Sequence, residues 1–143
     1  MAETLTFRFD VGGEDFTSAG QASVQVKKNL RQLGLPPEII RRVSIAMYEG
    51  EINMVIHAGG GTATVTVAPE KITIVLTDHG PGIPDVGLAM KEGYSTAPDS
   101  VRDLGFGAGM GLPNMKRYTD HMEIHSRLGE GTRILMRVDI PTA

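Results

Sequence analysis

Cysteine is absent from the 143 residues, which rules out disulfides and thiolate metal sites and fits a reducing compartment. Tryptophan is absent and phenylalanine is scarce, at four, which leaves core filling to aliphatic side chains and methionine. Positive charge is not in excess. Lysine and arginine number 14 against 17 acids, a net charge of −3, so nothing in the composition attracts nucleic acid. No apolar run approaches the roughly 20 residues of a membrane span. The first ten residues, MAETLTFRFD, lack the basic-then-apolar pattern of a signal peptide. A cytoplasmic protein with no membrane or nucleic-acid partner is expected. Hydrophobic content of 41% and charged content of 22% suit a soluble chain with one hydrophobic core, read as a single domain over residues 1–143. Glycine, by contrast, is abundant. Many of the 18 lie between Gly80 and Gly111, which makes that half the place to look for binding by backbone groups.

Hydrophobic periodicity divides the chain. Residues 4–10 alternate Leu5, Phe7 and Phe9 against polar neighbours, a half-buried strand. Ser18 can cap a helix running to about Leu33, with Ala22, Val26, Leu30 and Leu33 inward and Gly34 as its stop. Pro36-Pro37 starts a second helix that ends near Ala58, before Gly59-Gly60-Gly61. Strands over 62–68 and 71–78 meet at Pro69-Glu70, and the nearly continuous ITIVL predicts a central position for the second. A short helix near 86–91, a loop of nearly twenty residues, a helix over 111–119 and strands over 121–126 and 132–140 complete the chain. This order predicts an α+β two-layer sandwich, with helices on one face of a mixed, mainly antiparallel sheet.

Three stretches carry chemistry. In the second helix Glu49, Asn53 and His57 recur every four residues, hence on one face, within an otherwise apolar sequence. Ile40, Val43, Met47, Gly50 and Met54 form the stripe packed on the core. Buried polar groups need partners, so a ligand would account for the row, whereas a solvated face is the plainer reading of the row alone. Glu51, two residues from Glu49, is rotated about 200° and faces away. The second stretch is Asp78-His79-Gly80-Pro81-Gly82-Ile83. A carboxylate ending a buried strand can accept from an exocyclic amine, and the glycines allow close approach to a flat ring. An ordinary turn is the alternative. The third stretch has alternating glycines, Gly105, Gly107, Gly109 and Gly111, followed by a helix. It offers backbone N–H groups to phosphate, or it is a hinge.

In that order, E-x-x-x-N-x-x-x-H, D-x-G-x-G-I and G-x-G-x-G-L, the boxes resemble the Bergerat-fold (GHKL) ATPases over about residues 4–138. The resemblance implies ATP and Mg²⁺ as cofactors. Glu49 would be the general base, and Asn53 would hold Mg²⁺ between the phosphates. Asp78 would bind the adenine amino group, with Gly80, Gly82 and Ile83 shaping the turn beneath the ring. Gly107, Gly109, Met110, Gly111 and Leu112 would belong to a lid around the triphosphate. Thr132 would support Asp78, and His57 would be a phosphate-side or structural contact. Lys116, beside the glycine loop, is a candidate for the γ-phosphate, with surface solvation the alternative; Arg102 reads as solvated. His121 and His125 lie on a predicted strand, where a four-residue spacing is not a helical metal pair.

EGEINMVIH, GPGIPDVGLAMKEGYSTA, GMGLPNMKRYTD and SRLGEGT are most similar to the small serine/threonine kinases of bacterial sigma-factor regulation, the RsbW, SpoIIAB and RsbT group. The resemblance implies a serine/threonine kinase with a STAS-domain protein as substrate. Alternatives within it are an anti-sigma factor that sequesters a sigma factor, a member that activates a phosphatase, and a stand-alone ATPase or histidine-kinase-like domain. A homodimer is compatible with all of these.

Overall fold

The computed structural model describes residues 4–12, 20–83, 86–90 and 111–141. Strand β1 covers Leu5–Gly12, helix α1 Gln21–Gln32, helix α2 Pro37–Ala58, strand β2 Gly60–Val67 and strand β3 Lys71–Thr77. A single helical turn, α3, covers Val86–Ala89. Helix α4 covers Gly111–Arg117, followed by β4 at His121–Arg127 and β5 at Gly131–Asp139. The strands form one sheet in the order β1-β2-β3-β5-β4. The ITIVL strand is therefore central, as its unbroken apolar run predicts. Every pairing is antiparallel, not mixed. β2–β3 and β4–β5 are hairpins; the long excursion before β2 returns it beside β1, and the one before β4 leads to the sheet edge, from which the hairpin brings β5 back between β4 and β3.

One face of the sheet is covered. α2 lies on it in contact with β1, β2, β3 and β5, and it is flanked by α1 on one side and α4 on the other. Val43, Met47, Ile72, Ile74, Leu76, Val65, Met136 and Met115 are fully or almost fully buried between the layers. The predicted stripe on α2 is all inward, Gly50 included. Its ends fall where the sequence places punctuation, Pro37 at the first turn and Gly59 in the left-handed region at φ 69°. Of the four methionines near the expected site, Met47 and Met54 are core residues and Met90 packs against the core, while Met110 lies outside the described residues.

Three local expectations differ. Leu33, expected inward, is 41% exposed: it is the C-cap of α1, its N–H still bonded to the Asn29 carbonyl, and its side chain stands at the very end of the helix. Gly60 and Gly61 are the first residues of β2 rather than helix terminators. Gly61 pairs with Val11, and a Cβ there would stand 2.9 Å from the Met54 sulfur, so the missing side chain lets strand and helix approach. Ser18 lies outside the described residues. The N-terminus of α1 is instead served by Glu51, which sits on α2.

Candidate functional site

α2 presents two polar faces with different partners. Glu51 is almost fully buried and points to α1. Its Oε2 accepts from the backbone N–H groups of Gly20 at 2.9 Å and Ala22 at 3.2 Å, and Oε1 accepts from Ser23 N–H at 3.0 Å. These are the donors that a helix start leaves without intrahelical partners. Glu51 is thus a long-range cap for a helix whose own N-cap, Gly20, has no side chain to offer. The second acid two residues from the row was the only signal of this in the sequence.

The opposite face carries Glu49, Asn53 and His57, spread over roughly 12 Å of helix. At the Glu49 end stands the start of α4. An ideal Cβ on Gly111 would lie 3.7 Å from both Glu49 Oε2 and Asn53 Oδ1, so the chain enters α4 directly beside both side chains. Asn114, one turn along α4, donates from Nδ2 to Glu49 Oε1 at 3.3 Å. Burial pushes the Glu49 carboxyl above its ordinary value, and the Asn114 bond works against that shift.

At the other end of the row, Asp78 follows β3. Its backbone N–H donates to the Thr132 carbonyl at 2.9 Å, and its Oδ1 accepts from Thr132 N–H at 3.1 Å and Gly80 N–H at 3.0 Å. Among the described residues both side-chain bonds fall on Oδ1, so Oδ2 retains accepting capacity. His57 is close enough to feel this carboxylate. Burial lowers its imidazole below the usual value, and the negative charge of Asp78 opposes the shift.

The Gly80–Ile83 turn is fastened to the β4–β5 hairpin. Gly129 N–H donates to the Pro81 carbonyl at 2.9 Å, and Ile83 N–H donates to Ser126 Oγ at 2.7 Å. Ser126 Oγ lies 2.8 Å from Thr132 Oγ1, which links that turn to the strand holding Asp78. Gly80 is pressed against Ala58 of α2, where a Cβ would come within 2.7 Å of the Ala58 Cα. Gly82 combines φ 82° with close contact to the backbone of Arg127 and Leu128, so only glycine fits.

The structure therefore brings Glu49, Asn53 and Gly111 to one corner, and His57, Asp78, Gly80, Gly82, Ile83 and Thr132 to the other. Leu112 is a core residue. Lys116 is exposed and lies two residues beyond Asn114, on the side of α4 turned away from Glu49. Gly107, Gly109 and Met110, with Arg102, lie outside the described residues. Asn114 and Ser126 are two members of these corners that the sequence reading passed over. Asn114 stands one helical turn after Gly111, and Ser126 precedes the GEGT turn, but neither residue type at those positions implies its partner.

A family model described as a histidine kinase-like ATPase domain matches residues 14–138. The serine/threonine-protein kinase RsbT of Bacillus subtilis is 32% identical over 118 residues, covering 79% of this chain and 83% of that protein. The anti-sigma F factors of Clostridium acetobutylicum and Clostridium novyi are 32% identical over 121 residues and 34% over 122, with 81% or more of each chain covered. Among solved structures, the mycobacterial sensor histidine kinase MprB superposes with a TM-score of 0.53 at 17% identity. It covers 97% of this chain and all of that one, a likeness of fold.

Proposed function

The chain belongs to the histidine kinase-like ATPase (GHKL) family, and on that premise we propose that its 143 residues act as one ATP-binding kinase domain that phosphorylates a serine or threonine of a STAS-domain protein. The observation that carries this reading is the corner where Glu49 and Asn53 open onto Gly111, the entry to α4 from the glycine-rich segment. Adenine lies at the Asp78 end, its amino group donating to Asp78 and its ring over Gly82. The phosphates extend along α2 toward Asn53 and Gly111. His57 lines the path between.

The residues fit a magnesium ion that arrives with the nucleotide. Asn53 Oδ1 is a hard oxygen donor directed at the Gly111 corner, and Mg²⁺ in nucleotide sites takes few protein ligands besides phosphate and water. Bound there, Mg²⁺ would neutralise charge on the phosphates. This chain's own part in the reaction falls to Glu49. The substrate hydroxyl gives its proton to Glu49 as its oxygen bonds to the γ-phosphorus. The bond from that phosphorus to the β-bridging oxygen breaks, and ADP leaves. A carboxylate whose proton affinity is raised by burial is a better base for this step than an exposed one.

A second reading, sequestration of a sigma factor, draws support from the relatives named anti-sigma F factor. Incubation with radiolabelled ATP, Mg²⁺ and STAS proteins encoded nearby tests both. Label on a STAS serine or threonine supports the kinase. Stable sigma-factor binding without transfer supports the second reading, and hydrolysis alone refutes both. Glu49→Gln should keep ATP binding and abolish transfer. Near wild-type transfer by that variant would remove Glu49 as the base.

A further inference from the structure

We propose that Asn114 is a positioning residue for Glu49: its side-chain amide holds one carboxylate oxygen so that the other faces the reacting hydroxyl. The inference rests on the reading of Glu49 as the base. An ionised carboxylate only accepts hydrogen bonds, so the amide must present Nδ2, and it presents it to Oε1 at 3.3 Å. The other oxygen, Oε2, is the one that would stand 3.7 Å from a Cβ on Gly111, as Asn53 Oδ1 also would. The amide thereby distinguishes two otherwise equivalent oxygens. An amide does not titrate, so it performs this role in every protonation state of Glu49.

α4 can hold Asn114 in place because the helix is anchored on both sides of it. Leu112 and Met115 are buried against α2 and the sheet. Just beyond the helix, Arg42 of α2 donates from Nε to the Tyr118 carbonyl at 3.1 Å and pairs with Asp120 at 3.2 Å. Asp120 in turn accepts from Asp139 N–H at 2.7 Å. A side chain on this fixed turn meets Glu49 without needing the rest of the glycine-rich segment.

The bond also sets the proton affinity of the base. Glu49 feels two opposing effects, burial, which raises its carboxyl, and the Asn114 bond, which lowers it. Other charged groups near this contact lie further along the packed elements. Arg42 and His57 are about two turns away on α2, and Lys116 and Arg117 follow on α4. Glu51 is turned to the start of α1, whose cations are Lys27, Lys28 and Arg31. Loss of Asn114 leaves burial unopposed.

The test uses Asn114→Leu, close in volume and a good helix former, and Asn114→Asp, which places a like charge beside the base. For Asn114→Leu, transfer at pH 6.5 should fall about tenfold, equivalent to about 1.4 kcal/mol, while ATP affinity stays within about twofold. The acid limb of the kcat–pH profile should move to higher pH, and further for Asn114→Asp. Carboxyl-carbon NMR titration of Glu49 in the nucleotide-free protein should show the same upward movement. An unchanged profile and titration in Asn114→Leu would overturn the inference, as would loss of ATP affinity in step with rate. The underlying reading fails separately, when Glu49→Gln alone still transfers phosphate.

Discussion

Two glutamates two residues apart on α2 should respond in opposite ways to the same isosteric change. Glu51 supplies three hydrogen bonds to the backbone at the start of α1, two through Oε2 and one through Oε1. Glu51→Gln keeps the shape but has only one accepting oxygen. Its best orientation puts that oxygen where Oε2 stands, satisfying Gly20 and Ala22 and turning the amide NH₂ on Ser23 N–H. Ser23 N–H and the amide hydrogens turned toward it are then buried without acceptors, at about 1–3 kcal/mol or more. The negative charge at a helix N-terminus is also lost, for about a further 0.3–1 kcal/mol. A total of about 1.3–4 kcal/mol is a large fraction of the roughly 5–15 kcal/mol that holds a domain folded. With a urea m-value of about 1–3 kcal/mol/M, the unfolding midpoint should drop by about 1 M.

Glu49→Gln has the other sign. Burial holds the folded carboxyl above its ordinary value. The folded state therefore binds this proton more tightly than the unfolded chain, and the stability gained from it is lost as pH rises through the folded pKa. At neutral pH the uncharged variant escapes that loss and should be at least as stable as wild type. The difference should vanish below pH of about 4, where the carboxyl is protonated in both states. Urea titrations of both variants at pH 7 and pH 4, beside transfer assays, give the full comparison. Glu51→Gln should unfold early but transfer phosphate while folded, and Glu49→Gln should be stable and inactive. A Glu51→Gln midpoint equal to wild type would refute the capping argument, whatever its activity.

Two further outcomes follow from the same geometry. His57 is held below the usual imidazole value by burial, so the unfolded chain binds more protons between the folded pKa and about 6.5. Stability should fall as pH drops below about 6.5, and His57→Gln should flatten that slope in urea midpoints at pH 7.5, 6.5 and 5.5. Gly50→Ala sets helix propensity, worth about 1 kcal/mol in favour, against a Cβ that would overlap the Leu76 side chain and stand 3.4 Å from the Met115 sulfur. Leu76 is 2% exposed and has little room to rotate away. Overpacking of about 1–3 kcal/mol should win, so the variant should melt lower than wild type. A higher melting temperature would show that the core repacks freely there.

What the sequence made legible were features written locally. Helix α2 begins and ends at the proline pair and the glycine run because those residues act on their own backbone. The central place of β3 follows from its unbroken apolar run, and the inward stripe of α2 from a repeat of three and four. The Glu49 row and the Asp78 turn could be singled out for the same reason, each being short and contiguous, while most of the glycine box lies outside the described residues. The exposure of Leu33 was not, because periodicity sets the face on which a residue lies and not whether another element covers that face at the helix end. Nor was the all-antiparallel sheet, since strand direction across a long excursion is settled by tertiary pairing.

The contacts that give the site its chemistry are the least local of all. Asn114 is 65 residues from Glu49, Thr132 is 54 from Asp78, and the donors to Glu51 lie 28 to 31 residues upstream. Helical periodicity places Glu49 and Glu51 on opposite faces, yet it cannot say what waits on each. One face meets three backbone donors and makes its acid structural. Among the described residues the other meets a single amide, which engages Oε1 and not Oε2. Both oxygens of Glu51 are committed to the start of α1, whereas among the described residues Glu49 is bonded through Oε1 alone, so one helix carries a structural acid on one face and the candidate base on the other.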